Sequence, residues 1–363
     1  MASRVVPRLR TFARAVPRLA ARSRSRVRPD APRRILIAHH LLAGDTLMLA
    51  PLLAKLRAQY PDADVAMTVR KGLASLYKGR PYGMRALVYD PRDPAVLEPL
   101  FAEDGFDLAL VPGDNRYSWL ALALGARWIV AFAGDRPAYK SWPVDEQVRY
   151  PDRQAAWGEM VAAMIPGPEP RPYATGDWPA PECKAFERPD RPYCVLHVEA
   201  STPLKHWGDA SWMALAEALA GRGLQVVWSA GPTGARYLAR IDPQGRFLAL
   251  GHRLDFPQLW HLVAGARLLV CPDTSVAHLG KLTFTPTVTL FGPSSAPLFG
   301  KGEFWRDAPF TEVTVPDFPC RDQRLLFKRE IAWVRRCTRT PAECPRPRCM
   351  EAISVEQVLR AIG

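Results

Sequence analysis

Short apolar runs alternate with helical segments along this chain, and the alternation restarts after a proline-rich interval. Strand-like runs in the first block cover residues 34–38, 64–69, 87–89, 106–111 and 128–132. Between the first two of them, residues 46–60 carry leucines at helical spacing, typical of a helix with a core-facing side. Strands that alternate with helices predict βαβ units around a parallel sheet.

The second block follows residues 166–192, which contain eight prolines and therefore predict a linker or a long surface connection. Further strands are predicted at 193–198, 225–229, 267–271 and 287–291, with helices at 211–220, 257–264 and 354–362. A chain of 363 residues fits two domains of ordinary size. We therefore expect two doubly wound α/β domains, 33–165 and 193–363, with a ligand cleft between them.

Residues 1–32 form a basic tail. Residues 1–34 hold eleven arginines and one aspartate, so most of the net charge of +13 lies there. Apolar residues at nearly helical spacing suggest a basic amphipathic helix on an anionic membrane surface. A disordered arginine-rich extension, a start codon assigned too early and a transit peptide are alternatives. No recognition fold for nucleic acid accompanies the tail, and no apolar run is long enough to span a bilayer.

The first candidate site is the loop at 41–46. Gly44 permits a tight turn after the first strand, and Asp45 stands at the start of the next helix. Asp45 is either a helix N-cap or a carboxylate that faces the cleft and acts as a general base.

The second candidate site follows the strand at 193–198. Ser201 and Thr202 lead to Lys205 in a loop at the carboxyl end of a predicted parallel strand. A lysine at this place can neutralise a phosphate in the cleft. The alternative is a solvated lysine beside a packed tryptophan.

The third candidate site is the corner at 268–280. An apolar run ends at Pro272, and Asp273, Thr274 and Ser275 follow as candidates to cap a helix start, with His278 one turn later. The N-terminus of a helix attracts phosphate, although an ordinary βα turn with a surface histidine has the same pattern. Another strand ends at residues 292–294, so four strand ends bring polar groups toward one cleft.

These motifs, GD, S/T with KHW, DTxxxH and FGPS, occur in the order found in glycosyltransferase family 9, the lipopolysaccharide heptosyltransferases, which the chain resembles from about residue 33 to its end. The resemblance implies a GT-B fold, that is, two Rossmann-like domains facing across a cleft. It also implies an inverting, metal-independent transfer of heptose from an ADP-sugar to a lipid-linked saccharide of the lipopolysaccharide core. Such an enzyme would need no cofactor and would work at the cytoplasmic face of the inner membrane.

The resemblance also assigns roles to residues. Asp45 would be the catalytic base, and His39 and Gly44 would lie on the acceptor side. Donor binding would fall to Ser201, Thr202, Lys205, Asp273, Thr274, Ser275 and His278.

The chain departs from the family pattern at three places. His39 replaces a lysine or arginine, Ser275 replaces a glycine, and residues 230–234 lack the acidic residue that binds the nucleoside sugar. The acceptor and the nucleotide are therefore open. A sugar-nucleotide epimerase of the same fold, or a weakened scaffold that binds an envelope saccharide, are the alternative functions.

Four of the seven cysteines occur late in the chain, at Cys320, Cys337, Cys344 and Cys349. Their gaps are too uneven for paired zinc knuckles, so we expect reduced thiols and predict no metal site.

Overall fold

Two parallel sheets of six strands form the framework of the protein in a computed structural model, which describes residues 5–23, 25–231, 234–251 and 253–363. The first sheet contains β1 Arg34–Ile37, β2 Asp64–Val69, β3 Arg85–Val88, β4 Leu108–Val111, β5 Trp128–Phe132 and β6 Glu146–Val148. The second contains β7 Tyr193–His197, β8 Gln225–Ser229, β9 Leu248–Ala249, β10 Leu268–Pro272, β11 Thr287–Phe291 and β12 Phe310–Thr314. The predicted α/β fold class is confirmed.

The two sheets have the same topology. Their strand orders are β3-β2-β1-β4-β5-β6 and β12-β11-β10-β7-β8-β9. In each sheet the order in which strands are added reverses beside the first strand, between β1 and β4 and between β7 and β10. In such sheets ligands bind at the carboxyl ends of the strands where the order reverses. The loops after β1, β7 and β10 are therefore the places to look for a site.

Helices cover the sheets, and we call each sheet with its helices a lobe. The first lobe contains α1 Val5–Ala20, α2 Ala43–Leu47, α3 Ala50–Gln59, α4 Leu97–Phe101, α5 Ser118–Ala123 and α6 Trp157–Ala162. The second contains α7 Asp209–Gly221, α8 Ala235–Ile241, α9 Phe256–Ala264, α10 Ser275–Thr283, α11 Ala296–Phe299, α12 Arg348–Glu351 and α13 Val355–Ile362. Within the described residues, no helix combines the length and the apolar character needed to cross a bilayer.

The sequence prediction missed several breaks and edges. The predicted helix at 46–60 is two helices, α2 and α3, because Pro51 has no N–H to donate and a turn separates them. Strands β6 and β9 are only three and two residues long, too short to give a sequence signal. Strand β12 is an edge strand with two exposed residues, so its apolar content is low.

The basic N-terminal segment is helical from Val5 to Ala20 and packs against α5. Pro7 lies in the first turn, where a helix does not use the backbone N–H. Residues 1–4 and Arg24 of the predicted tail lie outside the described residues, as do Pro232 and Thr233 of the 230–234 loop.

The proline-rich segment 166–192 packs against both lobes. Trp178 is buried, and its Nε1 donates to the carbonyl of Leu76 at 3.0 Å. The hydroxyl of Tyr173 donates to the carbonyl of Leu282 in α10 at 2.8 Å. The segment therefore contributes to the shared interior of the two lobes.

After β12 the chain returns to the first lobe through residues 315–347, which we call the crossing segment. It contains the hairpin β13 Leu325–Leu326 and β14 Arg329–Glu330. Arg329 is buried, and its guanidinium donates to the carbonyls of Ala133 and Gly113 at 2.9 and 3.0 Å and to Asn115 Oδ1 at 2.7 Å. This arginine fixes the crossing segment to the first lobe.

Candidate active site

A cavity of about 740 Å³ lies where the loops after β1, β7 and β10 meet. It brings together nine of the ten residues singled out in the sequence: Gly44, Asp45, Ser201, Thr202, Lys205, Asp273, Thr274, Ser275 and His278. Gly44 and Asp45 come from the first lobe, and the others come from the second. The cavity is therefore a cleft with one wall from each lobe.

Asp45 lies in the first turn of α2, whose N-cap is Leu42, so the interpretation of Asp45 as an N-cap is wrong. Burial raises the pKa of Asp45 to about 6, while Lys205 and Arg336 act in the opposite direction. Asp273 adds to the rise because it is a second negative charge nearby. A carboxylate with a pKa close to neutrality suits a general base.

Lys205 and Asp273 form an ion pair at the floor of the cavity. The Lys205 Nζ lies 2.7 Å from Asp273 Oδ2 and donates to the Asp273 carbonyl at 2.9 Å. Burial alone would raise the pKa of Asp273, but the ammonium group and the hydrogen bonds lower it overall. The lysine side chain keeps about a fifth of its surface exposed, 22%, and can reach a ligand in the cleft.

His278 in α10 touches the first lobe at Gly44. A Cβ on Gly44 would lie 3.2 Å from His278 Cδ2 and 3.6 Å from the Cα of Ser275. A larger residue at position 44 would press on the His278 ring, because α2 and α10 approach each other so closely. Burial lowers the pKa of His278 well below its usual value, so the ring is neutral near pH 7 and donates from one nitrogen only.

The polar residues at the two second-lobe loops differ in their local bonds. Thr202 accepts a hydrogen bond from the backbone N–H of Leu204 at 3.4 Å and so stabilises the turn that carries Lys205. Thr274 is the N-cap of α10 by position, but its side chain makes no capping bond, contrary to our expectation. The N-terminus of α10, whose residue Ser275 lines the cavity, therefore has no side-chain cap from Thr274.

His39 is placed apart from the other predicted site residues. It is buried, and the cavity lining does not include it. Its backbone N–H donates to Thr68 Oγ1 at 2.8 Å, and its Nδ1 accepts from the N–H of Leu41 at 3.2 Å. Burial lowers its pKa to about 3, so His39 is a neutral support of the 41–46 loop in this geometry.

Three cationic cavity residues were not singled out from the sequence: Arg70, Arg336 and Arg339. Arg70 directly follows β2, so the argument from strand ends could have found it. Its Nε donates to the carbonyl of Leu41 at 2.7 Å. Arg336 and Arg339 belong to the crossing segment, which has no helical or strand periodicity. The three arginines and Lys205 together make the cavity lining cationic overall, which suits a diphosphate.

The late cysteines lie in or beside the crossing segment as free thiols, and Cys337 lines the cavity. Burial raises the pKa of Cys349 to about 11, with smaller contributions from Cys320, Cys337 and Cys344. In the part of the chain that the structure describes, no group of three or more His, Cys, Asp or Glu side chains is arranged to hold a metal ion.

The chain is similar to known proteins in both sequence and fold. The profile of glycosyltransferase family 9 (heptosyltransferase) matches residues 101–308. The chain is 32% identical over 173 residues to lipopolysaccharide heptosyltransferase 1 of Pseudomonas aeruginosa, covering 44% of this chain and 49% of that protein. It is 24% identical over 316 residues to lipopolysaccharide heptosyltransferase 3 of Escherichia coli, covering 77% of this chain and 89% of that protein. The chain thus spans about half the length of the first relative and most of the second.

Solved structures also share the fold. The glycosyl transferase family 9 protein from Veillonella parvula DSM 2008 superposes with a TM-score of 0.69 at 16% identity, covering 91% of this chain and 96% of that one. The E. coli ADP-heptose lps heptosyltransferase II superposes with a TM-score of 0.67 at 17% identity, covering 91% and 97%. The match to residues 101–308 includes Lys205, Asp273 and His278 but begins after Asp45.

Proposed function

Because the chain belongs to glycosyltransferase family 9, the heptosyltransferases, we propose that it transfers heptose from ADP-heptose to a saccharide of the lipopolysaccharide core. The observation that carries this proposal is the meeting of Asp45 from one lobe with Lys205 and Asp273 from the other in one cleft. The E. coli ADP-heptose lps heptosyltransferase II, which shares the fold, supports ADP-heptose as the donor. We also propose that the acceptor is lipid-linked and that transfer takes place at the cytoplasmic face of the inner membrane.

The proposed reaction is a single displacement with inversion. The Asp45 carboxylate accepts the proton of the acceptor hydroxyl while the hydroxyl oxygen forms a bond to C1 of the heptose. The bond from C1 to the diphosphate oxygen breaks on the opposite face, and ADP leaves with the electron pair. Lys205 and the N-terminus of α10 stabilise the negative charge that develops on the diphosphate, which makes a metal unnecessary in this proposal.

The test is to titrate a panel of nucleotide-diphosphate sugars, ADP-heptose first, and then to identify products with and without a lipopolysaccharide-core acceptor. We expect ADP-heptose to raise the temperature at which the protein unfolds. With the acceptor present, we expect a heptosylated product. A changed sugar that forms without acceptor would instead identify an epimerase. Failure of every nucleotide sugar to stabilise the protein would favour the scaffold function.

Replacing Lys205 by alanine is expected to weaken donor binding by roughly 1.5–3 kcal/mol, the scale of a hydrogen bond to a charged group. The loss has two causes: the phosphate loses its ammonium partner, and Asp273 is left as an unpaired carboxylate beside it. Titration calorimetry with ADP measures the change. The exposed Lys78, which lies outside the cavity, supplies the control K78A. Equal ADP affinity of K205A and K78A would remove Lys205 from the donor site.

The pH profile should reflect Asp45. Because burial raises its pKa to about 6, the base is ionised above this pH and protonated below it. We expect kcat/KM to fall tenfold per pH unit on the acid side of pH 6 and to level off above it. Measurement of kcat/KM from pH 4.5 to pH 8, about the range that brackets the pKa, tests this. A profile that stays flat through pH 6 would contradict the assignment.

A further inference from the structure

Helix α1 is oriented with its polar side toward the protein. Arg14 Nη2 and Arg18 Nη1 approach the two carboxylate oxygens of Asp104 at 3.1 and 2.7 Å. Thr11 and Ala15, on the same side of the helix, are buried against the first lobe. An amphipathic helix on a globular protein normally buries its apolar stripe. In α1 most of this stripe faces solvent instead, although Phe12 and Leu19 at its edge pack against the first lobe.

The opposite side of α1 is apolar and open to solvent. Val5, Val6, Leu9 and Val16 are 59%, 51%, 63% and 50% exposed. Ala13 and Ala20 are exposed on the same side. These six residues form what we call the outer face of α1. They are too many and too close together to be the scattered surface apolar residues of an ordinary soluble protein.

Aromatic side chains, of which Trp142 and Tyr139 are exposed, continue this surface through the buried Trp119. Trp119 of α5 lies between Phe12 and Trp142, with ring centroids 4.9 and 6.4 Å apart. Trp142 is 65% exposed, and Tyr139, whose ring lies 6.5 Å from that of Trp142, is 43% exposed. Tryptophan and tyrosine prefer the boundary between lipid and water because one end is apolar and the other polar.

We propose that the outer face of α1, with Trp142 and Tyr139, docks on an anionic lipid surface. The charge around the helix favours lipid over a second copy of the chain. Arg14 and Arg18, whose side chains are 36% and 32% exposed, share the single carboxylate of Asp104, and Arg8 is exposed at the border of the outer face, which leaves a cationic excess along the helix. Two copies would bring these excesses together, whereas anionic headgroups neutralise them.

The outer face begins at the same edge of the first lobe as the cavity. Arg8 lies near Tyr89. Burial raises the pKa of the Tyr89 hydroxyl, and the positive charge of Arg8 acts in the opposite direction. The Tyr89 and His40 rings meet edge-on with their centroids 5.9 Å apart, and His40 directly precedes the loop that carries Asp45. Docking would therefore bring the cleft near a lipid-linked acceptor. This last step rests on the proposed function, but lipid binding itself does not.

The test is flotation of the full chain with phosphatidylcholine vesicles that contain or lack phosphatidylglycerol, without donor or acceptor. We expect the protein to float with the anionic vesicles. The double variant Leu9→Asp/Val16→Asp should lower the partition coefficient at least about tenfold, because it removes apolar contact and adds negative charge. Leu325→Asp, which changes an exposed leucine in β13, is the matched control and should bind like the wild type.

Either of two results would overturn the proposal. The first is equal flotation of the wild type and the double variant, with thermal unfolding showing both to be folded. The second is a wild-type dimer in the absence of lipid that the double variant dissociates, which would make the outer face a contact between copies. Since no sugar donor is present, neither result depends on whether the chain transfers heptose.

Discussion

Replacing Asp45 by asparagine is expected to reduce kcat by about 10²- to 10⁴-fold, the usual contribution of a positioned general base. Asparagine keeps the size of the side chain but accepts no proton from the acceptor hydroxyl. Donor binding should change little, since Lys205 and the N-terminus of α10 stay in place. Initial rates of heptosyl transfer and calorimetric titration with ADP measure the two effects separately.

Two further measurements make the Asp45 test specific. The exposed Asp62 lies outside the cavity, so D62N is the matched control and should keep wild-type kcat. The pKa of Asp45, about 6 in the folded chain, exceeds its usual value of 3.8. Above pH 6 the folded state therefore holds a carboxylate that is poorly solvated, and D45N should raise the free energy of unfolding there. Wild-type kcat in D45N would remove Asp45 as the base.

Replacing Arg329 by alanine should lower the free energy of unfolding strongly. The guanidinium is buried, donates hydrogen bonds to four groups of the first lobe and lies 3.4 Å from Asp135 Oδ2. Breaking a buried ion pair by removing one partner costs about 3–5 kcal/mol. We expect the lower end of this range, because Lys140 lies 3.0 Å from Asp135 Oδ1 and still compensates its charge. Urea unfolding measures the loss.

The neighbouring residue supplies the control for Arg329. Glu330 lies on the same short strand but is exposed, so E330A should change the free energy of unfolding by less than about 0.5 kcal/mol. Loss of Arg329 should also release the crossing segment and weaken ADP binding, since Arg336 and Arg339 line the cavity from this segment. A variant R329A with wild-type stability would show that the hairpin is held by other contacts.

Much of the site could be predicted because parallel strands end at a common edge. Asp45, Lys205 and Asp273 each follow a strand with a clear apolar run, and β1, β7 and β10 flank the reversal points of the two sheets. Local sequence therefore determines where these side chains lie. The same reasoning applies to Arg70 after β2, which we did not single out.

The remaining part of the site depends on contacts between distant residues. Arg336 and Phe327 line the cavity from the irregular crossing segment, where neither helical nor alternating periodicity exists. Their position follows from the bonds of Arg329 to the first lobe, which no local pattern predicts. The orientation of α1 could not be predicted either, because it also depends on contacts with distant residues. The sequence pattern predicts an amphipathic helix but not which side of it packs against the protein.

The bonds of Arg329 also have a consequence for biosynthesis. They join residues that are far apart in the chain: Arg329 pairs with Ala133 across 196 residues and with Asn115 across 214. A ribosome makes the N-terminal half first, so the first lobe emerges long before its arginine does. The groups that Arg329 binds therefore lack this partner during synthesis, and the cavity lacks the wall that the crossing segment supplies until that segment has been made.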